Sequence, residues 1–410
     1  MSGHALRCVP LLALLFSTTA DGQQRSITLR EAVTRALASH PDARAADADV
    51  AIARGELTSA RVRAPNPGFA AEFGPATNRD TSLRSVRFGL SQTVELGGKR
   101  RYRSSGAGFR LEAAESRRTR LRAVIAWRAQ RAFFLALVAR DRLATAAEAD
   151  TVGLALLTAA QDRLQLGSGT QLEVNVAAAA HARDRRTRLD AERQLATAQF
   201  ELRAAIGAAI SDSLIAEGDL PKFALASASV ESVLAESLRR RPDFAAVRAE
   251  RNAAEAGQRL ARSLTWPDPE IGVSSGRAED FNVTVFSISL PFPVWNRNQG
   301  ATAAASASLD RARVAEDSAR RAVELEVRDA HQALARAIAS RDAFEVQVID
   351  RLTENLSLAR ESFQAGKISL FTYNIIRRDL VESRLAYLDA MAETVERRYA
   401  LALATGEPWE

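Results

Sequence analysis

Cysteine is all but missing from this 410-residue chain: Cys8 is the one example, and it lies inside an apolar N-terminal stretch. Beyond it no disulfide and no thiolate metal ligand can form, and Cys8 follows Arg7 too early to be a lipidation site. Lysine is nearly as scarce, with only Lys99, Lys222 and Lys367, so the net charge of +6 rests on arginines scattered among acids. No basic run exceeds three residues, as at Arg239 to Arg241. Phosphate backbones select a concentrated basic face, so no nucleic-acid partner is expected. Histidine past His4 is confined to His40, His181 and His331, isolated from one another in helical sequence. Gly-x-x-x-x-Gly-Lys loops and His-x-x-x-His pairs are lacking. Carboxylates interleave with arginine at helical spacing, as solvated ion-paired faces do. The expectation is a protein that is not an enzyme, with no cofactor and no metal site of its own.

Long apolar runs are missing as well. After the first twenty residues no segment reaches the eighteen uninterrupted apolar residues of a transmembrane helix. Any membrane insertion then has to be as β-barrel, the other structure that satisfies its backbone polar groups in lipid. The first twenty residues stand apart: His4 and Arg7, an apolar stretch from Val9 to Phe16, then small residues to Ala20. That is the pattern of a secretory signal peptide, so residues 1–20 are expected to be removed.

Apolar residues make up 47% of the chain, charged residues 26% and aromatics 6%, and the heavy Ala, Leu, Arg and Glu usage favours long helices. The chain also repeats itself. His40-Pro41-Asp42 recurs as Arg241-Pro242-Asp243, and Pro65-Asn66-Pro67 as Pro267-Asp268-Pro269. Gly167 in Leu-Gly-Ser-Gly-Thr corresponds to Gly366 in Ala-Gly-Lys-Ile-Ser, again about 200 residues on. Two copies of one unit are expected, residues 28–208 and 230–406, joined by a linker at 209–229. Each unit reads as a helix (Thr28–Ala64, Val230–Thr265), a Pro-x-Pro break, a strand-like segment, a long Pro-free helical tract (Lys99–Leu166, Asn298–Ala365), a glycine turn and a last helix. The second tract carries one apolar seam at three and four spacing, from Val323, Val327, Ala330, Leu334 and Ala337 on to Phe344, Val348, Leu352, Leu356, Ala359 and Phe363.

The strand-like segments alternate. Val86, Phe88, Leu90, Val94 and Leu96 oppose Ser85, Arg87, Ser91, Thr93 and Glu95, after Phe69, Ala71 and Phe73. Ile271 and Val273, then Phe286, Ile288, Leu290, Phe292 and Val294, oppose serines in the second unit, flanked by Trp266 and Trp295. This is period-two patterning. It predicts two hairpins, about 66–96 and 269–294, of the length that a tilted membrane strand needs. Half-buried strands of a soluble sandwich alternate in the same way. Only four strands are expected in the whole chain, however, beside helices far too long to cover so small a sheet. Four strands cannot close on themselves. Sister chains must complete the barrel, with eight, twelve or sixteen strands.

This plan resembles the TolC family of outer-membrane efflux proteins over nearly all the chain past residue 20. Two strings, Leu90 to Arg100 with Glu95-Leu96-Gly97-Gly98-Lys99 and Leu290 to Gly300 with Pro291-Phe292-Pro293, resemble the strand-to-helix junctions of its CzcC-type heavy-metal branch. Pro65, Pro67, Gly97, Gly98, Pro267, Pro269, Pro291 and Pro293 are then junction residues between barrel and helices. The resemblance implies a mainly α chain with a small β part. It implies a homotrimer in which a twelve-stranded outer-membrane β-barrel continues into a long α-helical periplasmic barrel. It also implies a periplasmic adaptor (membrane fusion protein) and an inner-membrane pump of the resistance-nodulation-division (RND) class as partners. The function implied is a passive exit duct for heavy-metal cations; drug or polypeptide export by the same architecture is the alternative, and a periplasmic coiled-coil adaptor or structural protein is a third reading. By the same resemblance, the segments just after the Gly167 and Gly366 turns line the closed aperture. Glu173 and Thr372 are the pore-gate candidates, and Gly167, Gly169, Gly366, Lys367 and Ile368 the candidates for adaptor contact. Without the resemblance, Glu173 reads as a helix-start glutamate favoured by the dipole.

Overall fold

The computed structural model describes residues 25–409 except 64, 79, 80, 210, 211, 213, 222, 225–228, 279, 280 and 345. The signal-peptide assignment at 1–20 and Cys8 lie outside the described residues. The chain is predominantly helical. Elements run β1 (Arg25–Ile27), α1 (Leu29–Ser39), α2 (Pro41–Arg61), β2 (Gly68–Asn78), β3 (Thr81–Thr93), α3 (Lys99–Gln165), α4 (Gln171–Ala205) and β4 (Leu214–Ala216). They continue as α5 (Val230–Arg240), α6 (Pro242–Ser263), β5 (Glu270–Ala278), β6 (Phe281–Ser289), α7 (Gln299–Asp342), α8 (Val346–Gln364) and α9 (Leu370–Thr405).

Three features differ from the sequence-based expectation. The leading helices, expected unbroken over Thr28–Ala64 and Val230–Thr265, each divide at the residue before a proline. His40 (φ −66°, ψ 126°) and Arg241 (φ −64°, ψ 117°) are extended, and Pro41 and Pro242 start new helices at their first position. The proline ring excludes its predecessor from the α region while suiting a first helical residue. The second long tract is also divided, between α7 and α8. There the Phe344 amide donates to Arg341 three residues back, and the Arg341 guanidinium ties the wall to the carbonyl of Phe223 in the linker. Phe344 thereby leaves the helical phase of the seam. Lastly, the described residues hold six strands and not four: β1 and β4 pair in parallel, Arg25 with Leu214 through Ile27 with Ala216. Strands of three residues are too short to show an alternation, and β4 falls inside the expected linker.

In the larger sheet the order is β2-β3-β5-β6, antiparallel throughout. β3 and β5 join the two hairpins, with Leu90 opposite Val273 and Gln92 opposite Ile271. The helices that continue these strands keep the same lateral order: α2 lies beside α3, α3 beside α6, and α6 beside α7. Towards the other end α3 lies between α4 and α9, and α9 packs on α8. At 67 residues, α3 runs about 100 Å and spans the whole assembly. One eighteen-residue stretch of α3 is apolar enough by length and composition to cross a membrane, and 28% of it is buried; α3 packs against α2, α4, α6 and α9 along its length.

The densest packing lies midway along α3. Trp127, Phe133, Phe134 and Leu137 are buried with Leu202, Ile206, Ile27, Leu214, Val395 and Tyr399, and the Tyr399 ring lies 5.3 Å from that of Trp127. Each such side chain contributes roughly 1.5–3 kcal/mol. Burial raises the Tyr399 hydroxyl above its ordinary pKa. Nearer the sheet the contacts thin to alanine, as at Ala113 against Ala246 and Ala249. Small side chains let helix axes approach in a flat wall.

A buried ionic node pins the α5–α6 bend. Arg241, only 4% exposed, donates to both oxygens of Asp243 at 3.0 and 2.5 Å, to Glu326 at 2.6 Å and to the Ala404 carbonyl at 3.0 Å. Burial alone would raise the Asp243 carboxyl, but the Arg241 hydrogen bonds and the charges of Arg120 and Arg241 outweigh it and hold the group below the ordinary carboxylate range. Arg241→Ala is predicted to destabilise the protein by about 1–3 kcal/mol, because it removes a buried guanidinium whose hydrogen bonds tie α6 to α7 and α9, while the partly exposed Asp243 and exposed Glu326 stay hydrated. A folded-state pKa below the unfolded one adds stability above roughly pH 4 that is lost as pH falls through the folded value. Denaturant unfolding across that range should show this acid loss in the native protein and a smaller one in Asp243→Asn.

Candidate functional site

The expected site residues fall into two places, the helix turns far from the sheet and the neck where the sheet meets the helices. At the turns, Gly167 (φ 73°) and Gly366 (φ 71°) are left-handed. After Gly167, the Ser168 amide donates to the Arg163 carbonyl and the Gly167 amide to that of Leu164; after Gly366, Lys367 donates to Ser362 and Gly366 to Phe363. Both are the same reversal, closing the helix carbonyls on a residue that needs positive φ. Gly169 has a separate reason to lack a side chain: a Cβ there would lie 3.0 Å from the Leu164 backbone nitrogen. Ile368 stands at the corresponding place in the second turn.

Glu173 and Thr372 occupy matching positions, the third residue of α4 and of α9. Glu173 completes a capping box, its carboxylate accepting from the Thr170 amide at 3.0 Å while the Thr170 hydroxyl accepts from the Glu173 amide at 3.2 Å. Ser369 caps α9 likewise, accepting from the Thr372 amide at 3.2 Å. Each side chain therefore serves its own helix end. The two hairpins meet close by, where Leu370 is buried against Ala160 and Ala177.

At the neck, Gly97 (φ 69°) and Gly98 (φ 76°) are consecutive left-handed residues, and Gly98 caps α3. Asn298 (φ 58°) does the same for α7 and donates its side-chain amide to the Ala261 carbonyl. Pro65 and Pro67, Pro267 and Pro269, and Pro291 and Pro293 all lie in irregular chain between helix and strand. The structure brings Pro65, Gly97, Gly98, Pro267 and Pro269 together. The Val94 amide donates to the Pro269 carbonyl, Gln92 donates to that of Pro65, and Gly97 lies against Trp266 and Ser263.

What holds them is a set of charged residues that sequence reasoning did not single out. Lys99 is 4% exposed, paired with Asp268 at 2.7 Å and donating to the Trp266 carbonyl at 2.6 Å. The other side of Asp268 accepts nothing further from lysine; its same Oδ1 takes the Leu96 amide at 2.8 Å. Arg103 grips both oxygens of Glu95 at 2.5 and 3.1 Å and, with Arg100, takes the last carbonyls of α2 at Ala60, Arg61 and Val62. The sequence signal was there, an isolated lysine after two glycines and an aspartate locked between prolines, but neither looks buried in a charged surface context.

Above the neck the sheet has two unlike faces. Phe69, Phe73, Phe88, Leu90, Ile271, Val273, Phe286 and Ile288 share one face by register and are exposed, Phe286 to 83%. The opposite face carries Glu72, Ser85, Arg87, Ser91, Thr93, Ser274, Ser287 and Ser289 with several glycines; Ala70, Val283 and Val285 are among its apolar members. Trp295, in the chain between β6 and α7, is 89% exposed. So much exposed apolar surface marks an interaction with lipid or protein, and an exposed aromatic residue past the end of β6 suits a lipid interface.

An apolar-faced sheet on a wall of long helices is the architecture of an outer-membrane duct, and comparison with known proteins gives the same class. The outer membrane efflux protein family model matches residues 32–208 and 233–407. The chain belongs to this family. It is an efflux channel protein of the outer membrane. It is 26% identical over 375 residues to the cobalt-zinc-cadmium resistance protein CzcC of Cupriavidus metallidurans, covering 90% of this chain and 88% of that protein. To the nickel-cobalt-cadmium resistance protein NccC of Alcaligenes xylosoxydans xylosoxydans it is 28% identical over 356 residues, covering 78% and 75%. The crystal structure of the outer membrane protein VceC from Vibrio cholerae shares the fold, with a TM-score of 0.74 at 20% identity over 93% of this chain and 97% of that one.

The neck charges give a direct test. Lys99→Met leaves Asp268 facing the neck without its cation, and a loss of about 3 kcal/mol is expected. The double variant Lys99→Met with Asp268→Leu should recover part of that loss in a double-mutant cycle of unfolding free energies. Strict additivity would show that the pair is not coupled.

Proposed function

We propose that three copies of this chain close one twelve-stranded barrel in the outer membrane, continued by a helical tunnel, and that this duct is the passive exit of a tripartite metal-efflux system. The observation that carries the reading is a coincidence of edges. β2 and β6 each have one paired side, and α2 and α7, which continue them, are the outer members of the helix wall. Open strand edges leave amides and carbonyls unsatisfied in lipid at several kcal/mol each. Joining the β6–α7 edge of one chain to the β2–α2 edge of the next satisfies both layers at once. The polar, small-residue face of the sheet then lines the bore and the apolar face meets lipid.

In this reading the matched order of elements in 28–208 and 230–406 is an internal repeat, and each repeat supplies one hairpin to the barrel. The chain is a conduit and not an enzyme. Heavy-metal cations are the cargo favoured by the similarity to CzcC and NccC and by the Gly97-Gly98-Lys99 and Pro291-x-Pro293 junctions. Choice of cargo belongs to an inner-membrane RND pump, joined through a periplasmic adaptor that meets the turns at Gly167, Gly169, Gly366, Lys367 and Ile368. Glu173 of each copy lines the narrowest point. Thr372 cannot add a second carboxylate, so the aperture carries one acid per chain.

A strain deleted for this channel is expected to lose tolerance to zinc, cobalt or cadmium and to regain it with the gene on a plasmid. Unchanged metal tolerance together with new sensitivity to dyes or antibiotics would instead favour organic cargo. For the gate, Glu173→Gln keeps the capping geometry, since glutamine also closes the box, while removing the charge. Single-channel recordings should then show weaker cation selectivity and weaker divalent block; an unaltered block removes Glu173 from the aperture.

A further inference from the structure

Between the opening turns of α4 and α9, just past the Gly167 and Gly366 turns and far from the neck, lies a pocket of about 140 Å³. Asn374 and Arg377 line it from one face of α9, three residues apart, and Arg183 and Asp184 line it from α4. Asn374 is 8% exposed and Arg377 4%. The Arg377 guanidinium is partly satisfied, donating to Asp184 at 2.5 Å and to the Ala149 carbonyl at 2.9 Å. Its Nε, and both the Nδ2 and Oδ1 of Asn374, are buried without a hydrogen-bond partner among the described residues.

Three unpartnered polar atoms on one helix face is a costly arrangement, since a buried polar group without a partner forfeits its hydration. The charges in the pocket are also unequal. Arg183, Arg377 and Arg378 all line it, against Asp184 alone; Arg378 leans on Asp379 and Glu382, and Arg183 forms no ion pair among the described residues. Two donors and an excess of positive charge call for an anionic acceptor. The remaining amide atom of Asn374 calls for a donor, whichever way the amide is turned.

We propose that this pocket binds a small protonated oxyanion of the hydrogenphosphate class. Its oxygens would accept from Arg377 Nε and the Asn374 amide, its hydroxyl would donate to the Asn374 carbonyl oxygen, and its charge would offset Arg183. The volume equals that of a few water molecules, enough for one such ion and too little for a nucleotide. A bound ion would tie α4 to α9 and so join the α3–α4 hairpin to the α8–α9 hairpin. This inference does not rest on the proposed cargo.

Calorimetric titration of the full-length, detergent-purified protein with inorganic phosphate, at ionic strength fixed with sodium chloride, tests it. Saturable binding is expected, with sulfate, which carries no proton at neutral pH, binding more weakly. Asn374→Leu and Arg183→Gln should each weaken phosphate binding about tenfold or more, the loss of one charge-assisted contact. Arg183 is exposed, so its variant keeps the test readable if the core substitution disturbs folding. No saturable heat with phosphate, as for a pocket filled by water, overturns the proposal, and so does binding that both variants leave unchanged.

Discussion

The sheet depends on a constraint that the single chain does not meet: in lipid every backbone donor and acceptor must find a partner. Within the chain, β3 and β5 meet it on both sides, whereas β2 and β6 meet it on one side each. The exposed apolar face, from Phe69 to Ile288, places the sheet in the bilayer, and the bilayer turns its open edges from a surface feature into an energetic demand. The helix wall inherits the demand because α2, α3, α6 and α7 follow the strand order. In the proposed trimer, closing the cylinder and closing the tunnel are one event.

Between these layers the chain has to change direction and periodicity within a few residues. Left-handed residues at Gly97, Gly98 and Asn298 accomplish the swing, and the Lys99–Asp268 and Arg103–Glu95 pairs hold its two sides together. Prolines keep the connecting chain out of helix and out of the sheet ladder. At the far end the Gly167 and Gly366 turns are built alike, backbone bond for backbone bond. The helix starts that follow differ only in chemistry, Glu173 against Thr372. In the proposed duct these two positions together offer one carboxylate per chain.

Much of this was legible in the sequence because it depends on period and punctuation. The alternation from Ser85 to Leu96 gave β3, and the Pro-x-Pro pairs gave the helix ends. The splitting of the leading helices follows from two other prolines, Pro41 and Pro242, which exclude the preceding residue from the helical region. Tertiary partnership was not legible. Nothing local in β3 announces β5 as its neighbour, since the two are paired across the whole α3–α6 stretch. The three-residue pair β1 and β4 carries no period at all. Lys99 and Arg241 look like surface charges in sequence, and only the fold shows them buried, one against Asp268 and the other against Asp243 and Glu326. Glu173 was read both as a cap and as a gate; its capping role is visible in one chain, and the gate is a proposal about the assembled duct.

The central claim is that sister subunits complete the barrel. Native mass spectrometry of the protein extracted from outer membranes in mild detergent measures this directly. The account predicts a particle of three chains that survives detergent exchange. A single chain as the stable membrane-extracted species would contradict it, because its sheet edges would then have to be satisfied without a partner.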